Sequence, residues 1–152
     1  MEIRDLTKEA VLISEDSTFE DALALMVSKQ TNSLLVIDED GKLCGEIGVS
    51  DLLSATIPDF LDPDKVLTEL STEDGFGKAV QNAAEKQVKE FMTVEMQPVH
   101  VDDTLLTIAG TAIAYGTQHI PIVDHDDRPI GIISRRGLKH ILAKYLNIKD
   151  NP

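Results

Sequence analysis

The chain has a single cysteine, no tryptophan and no run of basic residues, and each lack removes a class of protein. Cys44 alone cannot form an internal disulfide, so packing has to hold the fold, which fits a reducing cytoplasm. With four Phe, two Tyr and no Trp, aliphatic side chains must supply most of the core. No apolar run approaches the roughly 18 residues that read as a membrane-spanning helix. Residues 1–13 mix acids with bases and show no secretory signal, so the expected location is the cytoplasm. Against 27 Asp and Glu stand 14 Lys and Arg, a net charge of -13 that repels nucleic acid and anionic membranes unless a local basic patch overcomes it.

What is present is an ordinary globular composition, 42% hydrophobic and 27% charged over 152 residues. A chain of that length buries roughly 70% of its unfolded surface, as one ordinary domain or two very small ones. An internal repeat decides between them. Phe19, Ala22, Leu23, Met26 and Val27 have helical spacing, and 86 residues on stand Leu105, Ile108, Ala109, Ala112 and Ile113. Ser17 with Glu20, and Asp103, are placed to cap these helices. Polar stretches then lead into strands, Leu34 to Asp38 and Ile120 to Asp124, again 86 apart. Polar turns at 38–41 and 124–127 follow, then second strands around Leu43 to Ile47 and Ile130 to Ile133, each pair reading as a hairpin. Gly45 and Gly131 keep the offset. Leu138, Ile141, Leu142 and Tyr145 mark one closing helix, and Leu52, Leu53 and Ile57, limited by Pro58, the other. Short strands at 11–13 and 98–101 complete the order strand, helix, strand, strand, helix, twice.

Residues 58–91 form a connecting segment interrupted by Pro58 and Pro63, in which Phe76, Val80, Ala83, Ala84, Val88 and Phe91 predict a helix packed on the repeats. The domain reading is 1–57 for the first repeat, 58–91 for the connector and 92–152 for the second repeat.

These motifs resemble a tandem cystathionine beta-synthase (CBS) domain pair, or Bateman module. The resemblance rests on Phe91-Met92-Thr93, His119-Ile120-Pro121-Ile122-Val123-Asp124 and Gly131-Ile132-Ile133-Ser134, matched in the first repeat by Ser33-Leu34-Leu35-Val36-Ile37-Asp38 and Gly45-Glu46-Ile47-Gly48-Val49-Ser50-Asp51. It implies an α/β fold of two α+β sandwich repeats related by a pseudo-twofold axis, dimerisation, and clefts that bind AMP, ADP, ATP or S-adenosylmethionine as regulatory ligands, with no required cofactor. Such modules regulate another protein instead of catalysing a reaction, here one expected to lie on a separate polypeptide.

The family pattern at the last strand-to-helix turn is Gly, two apolar residues, Ser or Thr, two variable residues and Asp. The resemblance implies that the hydroxyl assists phosphate binding and that the Asp accepts ribose hydroxyls. Here the two halves are divided. Gly48 takes the hydroxyl position and Asp51 keeps the acid in the first repeat, whereas Ser134 keeps the hydroxyl and Gly137 replaces the acid in the second. Asp51 is either a helix-start residue or a ribose acceptor, with Ser50 and the amides near Gly48 making lesser contacts. Ser134, Arg135 and Arg136 are either a capped helix start with solvent-facing arginines, a phosphate site, or a protein interface, and the guanidinium forks are the strongest anion signal in the chain. His119, Pro121, Thr93 and Met96 line the base side of a cleft by the same resemblance; His119 is alternatively a packed or surface residue, and Pro121 a restraint at a strand edge or bulge.

Catalytic constellations are lacking. Cys44 alternates with Leu43 in a strand and reads as a half-buried residue, His125-Asp126-Asp127 as turn chemistry, and the histidines lack metal-site spacing. Neither a phosphate loop nor a dinucleotide fingerprint is present. Two functions follow: an adenosyl-ligand sensor that signals to a partner as a homodimer, or a dimerisation and interaction module without nucleotide binding.

Overall fold

The computed structural model describes residues 1–58, 62, 64–65, 68, 72–117 and 119–149. Pro63 lies outside the described residues. In chain order the elements are α1 (Ile3–Leu6), β1 (Leu12–Ser14), α2 (Phe19–Lys29), β2 (Ser33–Ile37), β3 (Leu43–Gly48), α3 (Val49–Ala55), α4 (Glu73–Ala83), α5 (Val88–Phe91), β4 (Val99–His100), α6 (Leu105–Tyr115), β5 (Ile120–Val123), β6 (Pro129–Ile133) and α7 (Arg135–Tyr145). Twice the chain runs strand, helix, strand, strand, helix, as the repeat requires, with the sheets ordered β1-β2-β3 and β4-β5-β6. The first strand of each pairs parallel with the second, and β5 pairs antiparallel with β6.

Two compact units result. The repeat-one unit comprises Val11–Asp38 and Cys44–Val94; the repeat-two unit comprises Met1–Ala10, Glu39–Leu43 and Glu95–Pro152.

In the repeat-one unit, α2 starts at Thr18, whose hydroxyl accepts from Asp21 N at 3.1 Å while the Asp21 carboxylate accepts from Thr18 N at 3.0 Å. The capping frame expected at Ser17 and Glu20 is thus shifted by one residue, because Thr18 and Asp21 offer the same pair of groups one step later. The helix stops at Gln30, which takes a left-handed conformation, φ 53°, and lets Thr31 N return to Met26 O at 3.1 Å. Phe19, Ala22 and Met26 enter a core with Leu34, Val36, Ile47 and Leu52. The other half of the predicted apolar stripe stays outside it, Val27 being 70% exposed. The connector helix breaks at residues 84–87. After α4, the short α5 drives Val88 fully into the repeat-one core, and the Phe91 ring meets Phe19 edge-on at 5.8 Å.

The repeat-two unit shows the same device at the chain's start, which sequence reading left without structure. Ile3 of α1 is 2% exposed and packs with Val99, Leu105, Ile108, Ile120, Ile122, Ile133 and Ile141. Behind α1, Lys8 N and O exchange 2.9 Å hydrogen bonds with Ile132 O and N. That approach requires Gly131, since a Cβ there would collide with the Lys8 carbonyl oxygen. In repeat one Gly45 likewise admits Met92, whose Sδ would lie 2.5 Å from an added Cβ. The helix α6 is capped by Thr104, not Asp103; the Asp103 carboxylate accepts from His100 N instead. On α7, Ile141 is buried, but Leu142 and Tyr145, predicted on the packed side, are 70% and 71% exposed.

Candidate functional site

The turn from β3 into α3 is built by three of the candidate residues. Gly48 is the N-cap of α3 and has no side chain to cap with, so Asp51, three residues on, supplies the acceptor: its Oδ2 takes the Gly48 N–H at 2.7 Å. Its Oδ1 accepts a hydrogen bond from Thr93 Oγ1 at 2.8 Å. Thr93 is carried there by the segment after α5, which pairs with β3 through reciprocal 2.9 Å bonds between Glu46 and Thr93. Asp51 and Thr93 are half-buried, and Ser50 and Val49 are exposed on the first turn of α3. A carboxylate has about four acceptor positions, so Asp51 retains capacity at each oxygen for a ligand hydroxyl.

The corresponding turn in repeat two differs. Ser134 is the N-cap of α7, but its hydroxyl makes no capping bond. Arg135 and Arg136 follow, exposed, with Arg136 Nε donating to His140 Nε2 at 3.4 Å. Gly137 stands where Asp51 stands in repeat one; an added Cβ would lie 2.8 Å from Ile133 Cγ2. A side chain at that place would therefore require the Ile133 side chain to shift. The division of the family motif has a structural counterpart: a fixed acid in one repeat, a hydroxyl with two guanidinium groups in the other.

His119 and Met96 are half-buried in the repeat-two unit. Pro121 is buried in β5, paired with Ile132 and beyond the end of β4, whose register begins at Val99 with Ile122. It thus occupies a central strand where its missing N–H meets no β4 partner, next to a bulge between Ile122 and Val123. Sequence reasoning passed over Thr117. Among the described residues its Oγ1 is a buried hydroxyl with no hydrogen-bond partner, whereas Thr31, 86 positions earlier, bonds Ser33 O at 3.1 Å. An orphaned buried hydroxyl calls for a partner that the described residues do not supply.

Other polar groups are accounted for by structure. His125 Nε2 lies 2.5 Å from Asp102 Oδ2, and Asp126 N and Arg128 N both donate to Asp124 Oδ1, at 2.8 and 3.0 Å, closing the β5–β6 turn. Those backbone bonds hold the Asp124 carboxyl below its ordinary pKa. Among the described residues no group of three or more His, Cys, Asp or Glu is placed to hold a metal ion, and no helix is long and apolar enough to cross a membrane.

The family model for the CBS domain matches residues 3–57 and 88–144. Over 150 residues the chain is 26% identical to protein MJ1426 of Methanocaldococcus jannaschii, covering 91% of this chain and 89% of that one. Among solved structures, the CBS domain of a membrane protein from Sphaerobacter thermophilus is 27% identical and superposes with a TM-score of 0.73 over 92% of this chain and 86% of that one. CBSX2 of Arabidopsis thaliana shares the fold at 23% identity, TM-score 0.73 and 96% of either chain. The two matched stretches fall on the two repeats, and the chain belongs to the CBS-domain family as a tandem pair, a Bateman module.

Proposed function

We propose that this module senses an adenosine-containing molecule, AMP, ADP, ATP or S-adenosylmethionine, and signals as a cytoplasmic homodimer to a separate protein. CBS modules are regulatory and not catalytic, which sets the class of function. Structures of the fold carry such ligands: CBSX2 with AMP, the cytosolic domain of the MgtE channel with ATP, and the MJ0100 CBS pair with 5-methylthioadenosine and S-adenosylmethionine. The observation that carries the reading is Asp51, whose two oxygens are oriented by Gly48 N and Thr93 Oγ1 and which keeps acceptor capacity for a ribose diol. In the repeat-two unit by itself, the Ser134-Arg135-Arg136 turn and the unpartnered Thr117 hydroxyl supply polar groups for a second site, the arginines for a phosphate. For binding to act as a signal, the ligand has to favour one conformational or partner-bound state over another.

Calorimetric titration with AMP, ADP, ATP with and without magnesium, and S-adenosylmethionine tests this. One of them gives a saturable heat; silence from all four overturns the sensor reading. Asp51→Ala weakens the ribose contact at least tenfold, and Arg135→Ala with Arg136→Ala selectively weakens the ligand with more phosphate. The second reading, a dimerisation module without nucleotide binding, is favoured by Gly48 and Gly137, which leave neither repeat with both halves of the motif.

A further inference from the structure

The short helix α3, which carries Asp51, is gripped at both ends by one stretch of chain. At its start the Asp51 carboxylate takes the Gly48 N–H and the Thr93 hydroxyl. At its end Lys86 Nζ donates to Ala55 O at 3.0 Å. Lys86 and Thr93 bound residues 86–93, which run from the break in the connector helix through α5. A helix of seven residues has too few internal hydrogen bonds to persist alone, so the groups that meet its ends decide its stability. Leu53 O already accepts from Thr56 N and Thr56 Oγ1, whereas Ala55 O receives the lysine. An ammonium group there also faces the negative end of the helix dipole.

The stretch between the two clips is fastened along its length. Lys86 O accepts the Phe19 N–H at 2.8 Å and Ala84 O accepts the Glu20 N–H at 3.1 Å, satisfying two free donors at the start of α2. Val88 N and Lys89 N donate to Ser17 O and Glu15 O at 2.8 and 3.0 Å. With Val88 fully buried and Phe91 against Phe19, a displacement at one end is not absorbed on the way to the other. Among the described residues repeat two has no such arrangement. Thr7, 86 positions before Thr93, turns its hydroxyl back to Ile3 O at 2.7 Å, and Gly137 offers no carboxylate to receive it. The double grip thus accompanies the repeat that keeps the acid.

We infer that residues 86–93 are a strap coupling the two ends of α3, and that Lys86 is a positioning residue for Asp51, acting through the helix without touching the ligand. A ligand hydroxyl on Asp51 adds a bond to the arrangement already closed, so occupancy tightens the strap and passes to the connector. The inference rests on the reading of Asp51 as the ligand's acceptor and names how that site is regulated.

Hydrogen exchange of single amides in the full chain tests it, first without ligand. Lys86→Met keeps the alkyl stem and removes the donor. Thr56 and Ile57 amides then exchange about tenfold faster, as loss of a charged hydrogen bond implies, and the Gly48 amide at the far end about threefold faster. Lys86→Arg restores both. Thr93→Val, cutting the other clip, speeds exchange at Thr56 and Ile57. Lys89→Met removes the exposed 3.0 Å pair with Asp16 at the same cost in charge and leaves Gly48 unchanged. Wild-type protection in β5 establishes that each variant is folded. Effects confined to the clip that was cut, or a Gly48 response to Lys89→Met equal to that of Lys86→Met, overturn the strap. AMP, ADP, ATP and S-adenosylmethionine are then added in turn. One that binds slows exchange at Gly48, Thr56, Ile57 and Phe19 in wild type, and binds Lys86→Met about threefold more weakly. Binding that slows Gly48 alone, with equal affinity for Lys86→Met, overturns the regulatory role of the strap. Silence from all four overturns the sensor reading instead, while the ligand-free exchange still decides the strap.

Discussion

The Thr93 hydroxyl donates to Asp51 Oδ1 at 2.8 Å across 42 residues of chain, and the same carboxylate caps α3 through its other oxygen. One side chain thus joins the strand-to-helix turn of repeat one to the segment that leaves α5. Asp51→Ala removes a cap and leaves the Thr93 hydroxyl without this partner, at an expected cost of about 2 kcal/mol, and Thr93→Val about 1 kcal/mol. In the double variant the loss falls short of the sum, because the shared bond is counted once. Urea unfolding of the four proteins checks this; strict additivity would remove the bond from the account of stability. The same measurements separate folding from ligand effects when Asp51 is changed in binding assays.

The repeat was legible because helix and strand periods recur at a constant offset, and packing reads such periods directly. Caps were less so. Ser17–Glu20 and Thr18–Asp21 are chemically equivalent frames, and only the helix's orientation on its core selects the second. The exposed side of the apolar stripe, Val27 and its counterpart Ile113, looks the same in sequence as a buried side, since periodicity records hydrophobicity without saying what covers it. At the site, the spacing Gly48 to Asp51 was visible, but its link to Thr93 was not, because no local pattern reports a hydrogen bond closed by the fold. Thr117 had no signal other than its place 86 residues after Thr31.

Gly45 and Gly131 stand at equivalent positions, yet replacement by alanine separates them. At 131 the new methyl meets the backbone carbonyl of Lys8, which is pinned by two hydrogen bonds to Ile132. At 45 the nearest atom is the Sδ of Met92, the end of a flexible side chain. Gly131→Ala is expected to cost about 3 kcal/mol and Gly45→Ala about 1 kcal/mol. Chemical denaturation ranks them, and an equal or reversed order would show that the Met92 segment is the more rigid of the two.

Ile3 belongs to a four-residue helix, too short to persist alone, and is held by the repeat-two core. Ile3→Ala should cost about 2–4 kcal/mol through the cavity it leaves. The effect is local in space and remote in sequence: amides of β4, β5 and β6 exchange faster, while those of β1 and β2 change little. Hydrogen exchange reads this directly. Faster exchange spread evenly over both sheets would sink the assignment of α1 to the repeat-two core.

Cys44 supplies a pH signature. Burial in β3 comes first and a 3.4 Å hydrogen bond to Glu15 Oε2 second in pushing its thiol up to about 12, from an ordinary value of 9.0. The folded protein thus holds the thiol proton more tightly than the unfolded chain does. Its contribution to stability is fully present below pH 9, declines as pH rises above 9 and is gone beyond 12. Lysines and tyrosines titrate in the same range, so the measurement is the difference between wild type and Cys44→Ala. Between pH 8 and pH 10 wild type should lose more stability than the variant, and iodoacetamide at pH 8 should label Cys44 slowly until urea opens the strand. Equal slopes together with rapid labelling of the folded protein would place the thiol in solvent as an ordinary cysteine.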